Sequence, residues 1–156
     1  MRNKKVLYRM VWLLAAAFVV IQFFGNRPET KKDNPADLLA TAHVPPDVSV
    51  LLRHACYDCH SNETVYPWYA YVAPVSWLVN RDVQEGRQEL NFSEWDKLKL
   101  SKKAKMLNKI SEEAVEDEEM PMKIYVMMHP GADLSAADRK KIGKWIDAYA
   151  AQLFGE

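Results

Sequence analysis

The residues with the most specific chemistry lie in the pentapeptide Cys56-Tyr57-Asp58-Cys59-His60. This C-x-x-C-H pattern is typical of c-type heme attachment, because each thiol can add to one heme vinyl group and the two-residue gap brings both sulfurs to one turn of chain. His60 follows directly and would lie under the iron as its proximal ligand. The motif therefore predicts one covalently bound heme c, attached through Cys56 and Cys59 and ligated by His60.

Two other uses of these side chains stay open as alternatives. A zinc site could recruit His54 together with Cys56, Cys59 and His60. Adjacent Cys59 and His60 are poorly placed to face one tetrahedral ion, however, and no second ligand pair follows. A thiol redox motif expects a βαβ pattern, and no useful run of alternating apolar and polar residues occurs here. Heme attachment is therefore the preferred interpretation.

A heme iron that carries electrons usually has a second strong protein ligand, commonly Met or His. Met120 precedes Pro121, which cannot extend a helix and marks a loop. Met120 is the predicted distal ligand, and His129 is the alternative. The remaining methionines near this loop are interpreted as packing residues; they are Met122, Met127 and Met128.

The elements that must position these residues read as helices. Asp47 is a plausible N-cap for a helix that runs into the motif, and Ser76 can cap a second helix after an aromatic loop over residues 62–74. Capping-box patterns occur at residues 93–96 and 135–138. After the second box, one apolar face at helical spacing contains Ile142, Trp145, Ile146, Tyr149 and Leu153. These patterns predict an all-α domain.

Several aromatic side chains are candidates for the heme pocket, although each is equally compatible with an ordinary core position. They are Tyr66, Trp68, Tyr69 and Trp77, which follow the cysteine motif, and Tyr125, which follows Met120. Tyr125 could contact a propionate or support a ligand. Arg53 could pair with a propionate, or could simply be solvated.

Together these motifs resemble a known family. A C-x-x-C-H near the domain start, a late Met-Pro and a following L-S-x-x-D-x-x-x-I-x-x-W are similar to class I cytochromes c. Residues 51–153 resemble more closely the bacterial heme-binding domain family of small membrane-anchored c-type cytochromes. The matching residues are Cys56 to Ser61, Tyr66 to Tyr69, Pro74 to Trp77, Leu90 to Ser93, Trp95, Met120, Pro121, Tyr125, His129, Leu134 and Ser135. The resemblance implies a cytochrome c-like helical domain around one covalent heme c, but no particular reaction.

The N-terminus predicts how the chain is located. Basic residues Arg2, Lys4, Lys5 and Arg9 precede or enter the apolar stretch Val6–Phe24, and the first acidic residue is Glu29. This pattern predicts an N-terminal transmembrane helix with its N-terminus inside and the remainder outside. A cleaved signal peptide is the alternative, although no A-x-A site follows. We expect a single-pass protein of the bacterial inner membrane with its heme domain in the periplasm.

The predicted organisation is a signal-anchor over residues 1–25, a tether over residues 26–41 and a heme c-binding domain over residues 42–156. The chain has 156 residues with 21 Lys+Arg and 21 Asp+Glu. Zero net charge excludes a nucleic-acid binder that works through bulk positive charge.

The predicted function is single-electron transfer, since two protein ligands would leave no open iron position. Unidentified redox proteins are the expected partners. An acidic cluster near Met120 could steer a basic partner, or could simply be a solvated helix face with i,i+4 ion pairs to lysines. It contains Glu112, Glu113, Glu116, Asp117, Glu118 and Glu119. A peroxidase-like enzyme and a heme-based ligand sensor, each with a displaceable sixth ligand, are the alternatives.

Overall fold

A computed structural model describes residues 2–155. Within this range the chain forms eight α-helices and no strand, which confirms the predicted all-α class. The helices are α1 (Arg2–Ile21), α2 (Leu38–Thr41), α3 (Pro46–Ala55), α4 (Tyr57–His60), α5 (Val75–Glu89), α6 (Leu100–Ile110), α7 (Lys123–Met128) and α8 (Ala136–Phe154). Short 3-10 turns cover Trp68–Tyr71, Phe92–Lys97 and Pro130–Ala132, and a π-turn covers Ser111–Glu116.

Helix α1 leaves its apolar side chains exposed; Trp12, for example, is 74% exposed. The helix contains Lys4, Lys5 and Arg9 and ends at Ile21, short of the predicted Phe24. Within residues 2–155 we find no helix that combines the length and the apolar character needed to cross a membrane. The predicted transmembrane helix is therefore not supported.

Residues 22–31, here called the N-terminal strap, are fixed to the domain instead of forming a free tether. The Gln22 side chain accepts a hydrogen bond from the Ala73 amide at 2.8 Å, and the Lys31 amide donates to the Asn62 carbonyl at 2.7 Å. The Arg27 guanidinium lies 3.7 Å from the centre of the Tyr71 ring. Hydrogen bonds and cation–π contacts to residues far along the chain hold the strap in place.

The folded domain also begins before residue 42. Leu38 is fully buried in the hydrophobic core. Asp37, which is 4% exposed, accepts hydrogen bonds from the Leu39 amide at 2.9 Å and the Tyr57 hydroxyl at 2.8 Å. The tether predicted over residues 26–41 is therefore wrong. The polar composition of this segment gave no indication of these long-range contacts.

The core is formed by side chains of α3, α6 and α8 and of the turn over Phe92–Lys97. Its fully buried side chains include Leu52, Phe92, Trp95, Leu107 and Ile142. Ser135 and Asp138 form the predicted capping box at the start of α8. The predicted apolar face of α8 is buried as expected, with Ile142, Trp145, Ile146 and Tyr149 in the core.

Other predicted helix starts differ from the structure. Helix α3 begins at Pro46, so Asp47 lies inside its first turn and is not the N-cap. Ser76 likewise lies inside α5, which begins at Val75. The capping box predicted at residues 93–96 does not form. The Asn91 side chain instead accepts a hydrogen bond from the Ser93 amide and caps a 3-10 turn.

Candidate functional site

The cysteine motif folds into one tight helical turn, α4, which directly follows α3 and is here called the cysteine turn. Helix α3 ends at Ala55, and the amides of Cys59 and His60 both donate to the Cys56 carbonyl, at 3.2 and 2.9 Å. Tyr57 anchors this turn in the core: its side chain is 3% exposed and stacks on Phe92 with ring centres 5.2 Å apart. The turn therefore presents both sulfurs and the imidazole from one fixed piece of backbone.

The His60 ring is held by one nitrogen. Its Nδ1 lies 2.9 Å from the Gly86 carbonyl oxygen and 3.2 Å from the Leu90 carbonyl oxygen. A carbonyl can only accept, so Nδ1 carries the proton and the Nε2 lone pair is left for a metal. Burial lowers the pKa of His60, which favours the neutral imidazole that metals require.

Gly86 lets α5 approach the cysteine turn closely. A β-carbon at this position would lie 2.6 Å from the Cys59 carbonyl oxygen. Sequence reasoning missed Gly86 and the role of its carbonyl. The available signal was a glycine inside a helical pattern, which often has a packing reason.

Three adjoining cavities, here called the groove, run along the cysteine turn. Their volumes are about 430, 230 and 60 Å³. Cys59 lines the first and second cavities, His60 lines the second and third, and Cys56 lines the third. The three residues of the motif therefore face one continuous groove.

Met120 and His129 lie in different parts of the groove. Met120 lines the two cavities that His60 also lines. His129 lines the cavity of about 430 Å³, where Nδ1 is 3.1 Å from the Tyr125 carbonyl and Nε2 is 3.3 Å from the Tyr69 hydroxyl. The structure thus brings Met120 together with His60, and it engages both nitrogens of His129 elsewhere.

Four of the five candidate pocket aromatics line the cavity of about 430 Å³, namely Tyr66, Trp68, Tyr69 and Tyr125. The Tyr125 hydroxyl donates to Asp58 Oδ2 at 2.8 Å and so ties α7 to the cysteine turn. Burial, followed by the nearby Asp58 charge, raises the pKa of Tyr125, so the phenol keeps its proton.

Two of the candidate residues, Trp77 and Arg53, have other partners in the structure. Trp77 does not line the groove; its indole Nε1 donates to the Phe24 carbonyl of the N-terminal strap. Arg53, the candidate propionate partner, instead forms an ion pair with Glu63 at 3.0 Å and lies over the Tyr57 ring. Neither partner was visible in the sequence, because each lies ten or more residues away along the chain.

The state of the two thiols bears on the alternatives to heme. Both cysteines are free, and burial raises the pKa of Cys56 and of Cys59 to about 12. Zinc binding and thiol redox chemistry both use the thiolate, which this environment disfavours. Among residues 2–155, no three His, Cys, Asp or Glu side chains are grouped so that they could hold a metal ion.

The donor set fits a covalently attached heme better than it fits a bare metal. Cys59 lines the cavity of about 430 Å³, whose walls are largely apolar and aromatic, and His60, with its Nε2 free, lines the adjoining cavity of about 230 Å³, whose wall is mixed. A thioether, Met120, lines the same cavities as the imidazole. Cys56 and Cys59 would hold the group, and His60 would ligate its iron.

The fold and the groove define a helical domain built around a C-x-x-C-H turn, and the comparison with known families agrees with this class. The model of the haem-binding domain family matches residues 16–148. The chain belongs to the haem-binding domain family. No curated protein and no solved structure matches the chain.

Proposed function

We propose that this protein is a mono-heme c-type cytochrome that transfers single electrons. Heme binding follows from the family, and the motif extends it to covalent attachment through Cys56 and Cys59. The observation that carries the proposal is the His60 ring, whose Nδ1 is fixed by the Gly86 and Leu90 carbonyls. This arrangement leaves Nε2 as the proximal iron ligand.

Met120 is the proposed distal ligand. It shares two cavities with His60, whereas His129 is hydrogen-bonded through both ring nitrogens to Tyr69 and Tyr125. A bound heme supplies an iron that alternates between the ferrous and ferric states. If the His60 imidazole and the Met120 thioether both ligated that iron, no position would remain open for a substrate, which favours electron transfer over catalysis.

The residues of this chain have three tasks in that function. The cysteine turn fixes the group to the backbone, and the Gly86 carbonyl orients the imidazole. The aromatic side chains, including Tyr66 and Tyr69, give the cavity of about 430 Å³ an apolar wall against which the group would pack. No proton has to move for one electron to be transferred, so no acid or base residue is required.

A peroxidase-like enzyme or a ligand sensor is the second candidate, and one observation favours it. Four carboxylate side chains line the cavity that also holds His60 and Met120; they are Asp82, Glu85, Glu89 and Glu113. If Met120 were displaced, these groups would supply the acid–base chemistry that a heme enzyme needs.

We further propose that the heme domain acts on the periplasmic side of the bacterial inner membrane, and that α1 attaches it to that membrane. The supporting observations are the exposed apolar side chains of α1 and the cations at its start. The exposed acidic residues beside Met120 would steer a basic redox protein. Membrane fractionation with protease added from the periplasmic side tests this location, and full-length protein in the soluble fraction would contradict it.

The decisive experiment on function uses the intact holoprotein. Acid–acetone extraction should leave heme on the polypeptide, whereas Cys56→Ala with Cys59→Ala should release it. Reduced protein should show a low-spin six-coordinate spectrum that carbon monoxide leaves unchanged. Complete extraction from the wild type would refute covalent attachment, and rapid carbon monoxide binding would favour the enzyme or sensor.

A further inference from the structure

Arg139 is a charged side chain buried in an unfavourable place. It lies near the N-terminus of α8 and is 8% exposed. A helix N-terminus carries a partial positive charge, and burial of a cation is costly unless it is partnered. A guanidinium at this position therefore needs strong hydrogen-bond acceptors.

The acceptors are backbone carbonyls of the segment that carries Met120. Arg139 Nη1 donates to the Met120 carbonyl at 2.8 Å and to the Ala114 carbonyl in the π-turn. The nearest carboxylate, Glu118 Oε2, is 3.9 Å from Nε and its side chain is 64% exposed. Among residues 2–155, the buried Nε has no hydrogen-bond partner. The main partners of the guanidinium are therefore the backbone carbonyls of this segment, and the contact with Glu118 is secondary.

The Met120 segment has little regular structure of its own. After the π-turn ends at Glu116, Glu118 adopts a left-handed conformation with φ of 56°, which is uncommon for a residue other than glycine. The Met120 amide donates to the Glu113 carbonyl at 3.0 Å. The Met120 amide is therefore bonded to the Glu113 carbonyl in the π-turn, and its carbonyl is bonded to the Arg139 side chain in α8.

We infer that Arg139 is a positioning residue for Met120, which fixes where the thioether lies in the groove by holding the Met120 carbonyl against α8. This inference rests on the proposed His60 and Met120 ligation. A thioether is a neutral, soft donor, and a ligand must be held to within about half an ångström by the residues that support it. Loosening the backbone of Met120 should therefore weaken its bond to iron.

The test compares variants of the holoprotein by spectroscopy. Arg139→Met keeps an unbranched apolar side chain but removes both hydrogen bonds. It should weaken the ferric absorption band that reports iron–thioether coordination and lower the reduction potential. Added imidazole should displace Met120 at about a tenfold lower concentration, the change expected when one hydrogen bond of ordinary net strength is lost.

Arg139→Lys keeps the charge, but its side chain is shorter and does not reach the position of Nη1, the nitrogen that donates to both carbonyls. It should give intermediate values, and it decides the question if Arg139→Met does not fold. The matched control is Ile146→Val, which removes one buried methyl group from the same helix. This control should lower Tm without changing the band or the imidazole affinity.

The possible results separate this inference from the function on which it rests. If the wild type shows the band, and the Arg139 variants match Ile146→Val in band and imidazole affinity, the inference is overturned while the ligation stands. If the wild type lacks the band and Met120→Ala changes nothing, the ligation fails and the inference fails with it. A selective loss in the Arg139 variants supports the positioning role.

Discussion

His60 Nδ1 lies 2.9 Å from the carbonyl oxygen of Gly86, in the helix that crosses the cysteine turn. The α-carbon of the same glycine faces the Cys59 carbonyl so closely that a β-carbon would be 2.6 Å away. One residue of α5 therefore sets both the separation between helix and turn and the orientation of the imidazole. Replacing it should affect stability and ligation together.

Gly86→Ala should lower the free energy of unfolding by about 1–3 kcal/mol, because an added methyl group in a packed contact forces the backbone to shift. The net change includes a gain of about 1 kcal/mol in helix propensity. Urea unfolding and the heme content per chain measure the effect. Gly143→Ala in α8 is the control, since its β-carbon would meet Val115 Cγ1 at an ordinary 3.4 Å. Equal urea midpoints for the two variants would contradict this role of Gly86.

Features of the site that depend on neighbouring residues could be predicted from the sequence. The C-x-x-C-H turn and the Ser135–Asp138 capping box are both local, and each needs only a few consecutive residues. The contacts that fix the site are not local. His60 and Gly86 are 26 residues apart, and Arg139 and Met120 are 19 apart. Without an observable partner, Arg139 reads as one more surface cation of α8.

The wrong capping box at residues 93–96 has a specific physical cause. Asn91 and Ser93 are both good N-caps, so local sequence does not choose between them. Tertiary contacts decide which of the two residues caps the turn. The Ser93 hydroxyl donates a hydrogen bond to Asp37 at 3.3 Å and accepts one from the Asn62 amide at 3.0 Å. With Ser93 engaged elsewhere, Asn91 caps the turn.

Arg27→Met should loosen the N-terminal strap. The Arg27 guanidinium lies over the rings of Tyr71 and Tyr66, at 3.7 and 5.3 Å from their centres. Losing both cation–π contacts should lower the free energy of unfolding by about 1–2 kcal/mol and speed chymotryptic cleavage after Phe24. Arg81→Met, which removes an exposed ion pair with Asp82, is the control. Cleavage of both variants at one rate would show that this stacking does not hold the strap.

Asp138→Asn should destabilise the protein at neutral pH but not in strong acid. Hydrogen bonding to Ser135 lowers the pKa of Asp138 below its usual 3.8. A lowered carboxyl pKa contributes stability above the unfolded pKa, and this contribution is lost as pH falls through the folded pKa. The difference in Tm between wild type and variant should therefore be largest at neutral pH, and it should shrink as the pH falls below 3.8 and through the folded pKa of Asp138. Asp147→Asn, at an exposed position of α8, should show no such trend.

Met120→Ala tests the distal ligand directly. A thioether favours ferrous iron, so its loss should lower the reduction potential, remove the ferric iron–thioether band and open the iron to imidazole or carbon monoxide. Met120→His should keep six ligands but also lower the potential.

Met122→Ala is the matched control, because Met122 lines the same cavity beside Met120 and is interpreted as a packing residue. His129→Ala should break the contact with Tyr69 and leave the iron spectrum unchanged. If His129→Ala opens the iron and Met120→Ala does not, the distal ligand is His129; if neither does, the native iron is five-coordinate and the enzyme or sensor function is favoured.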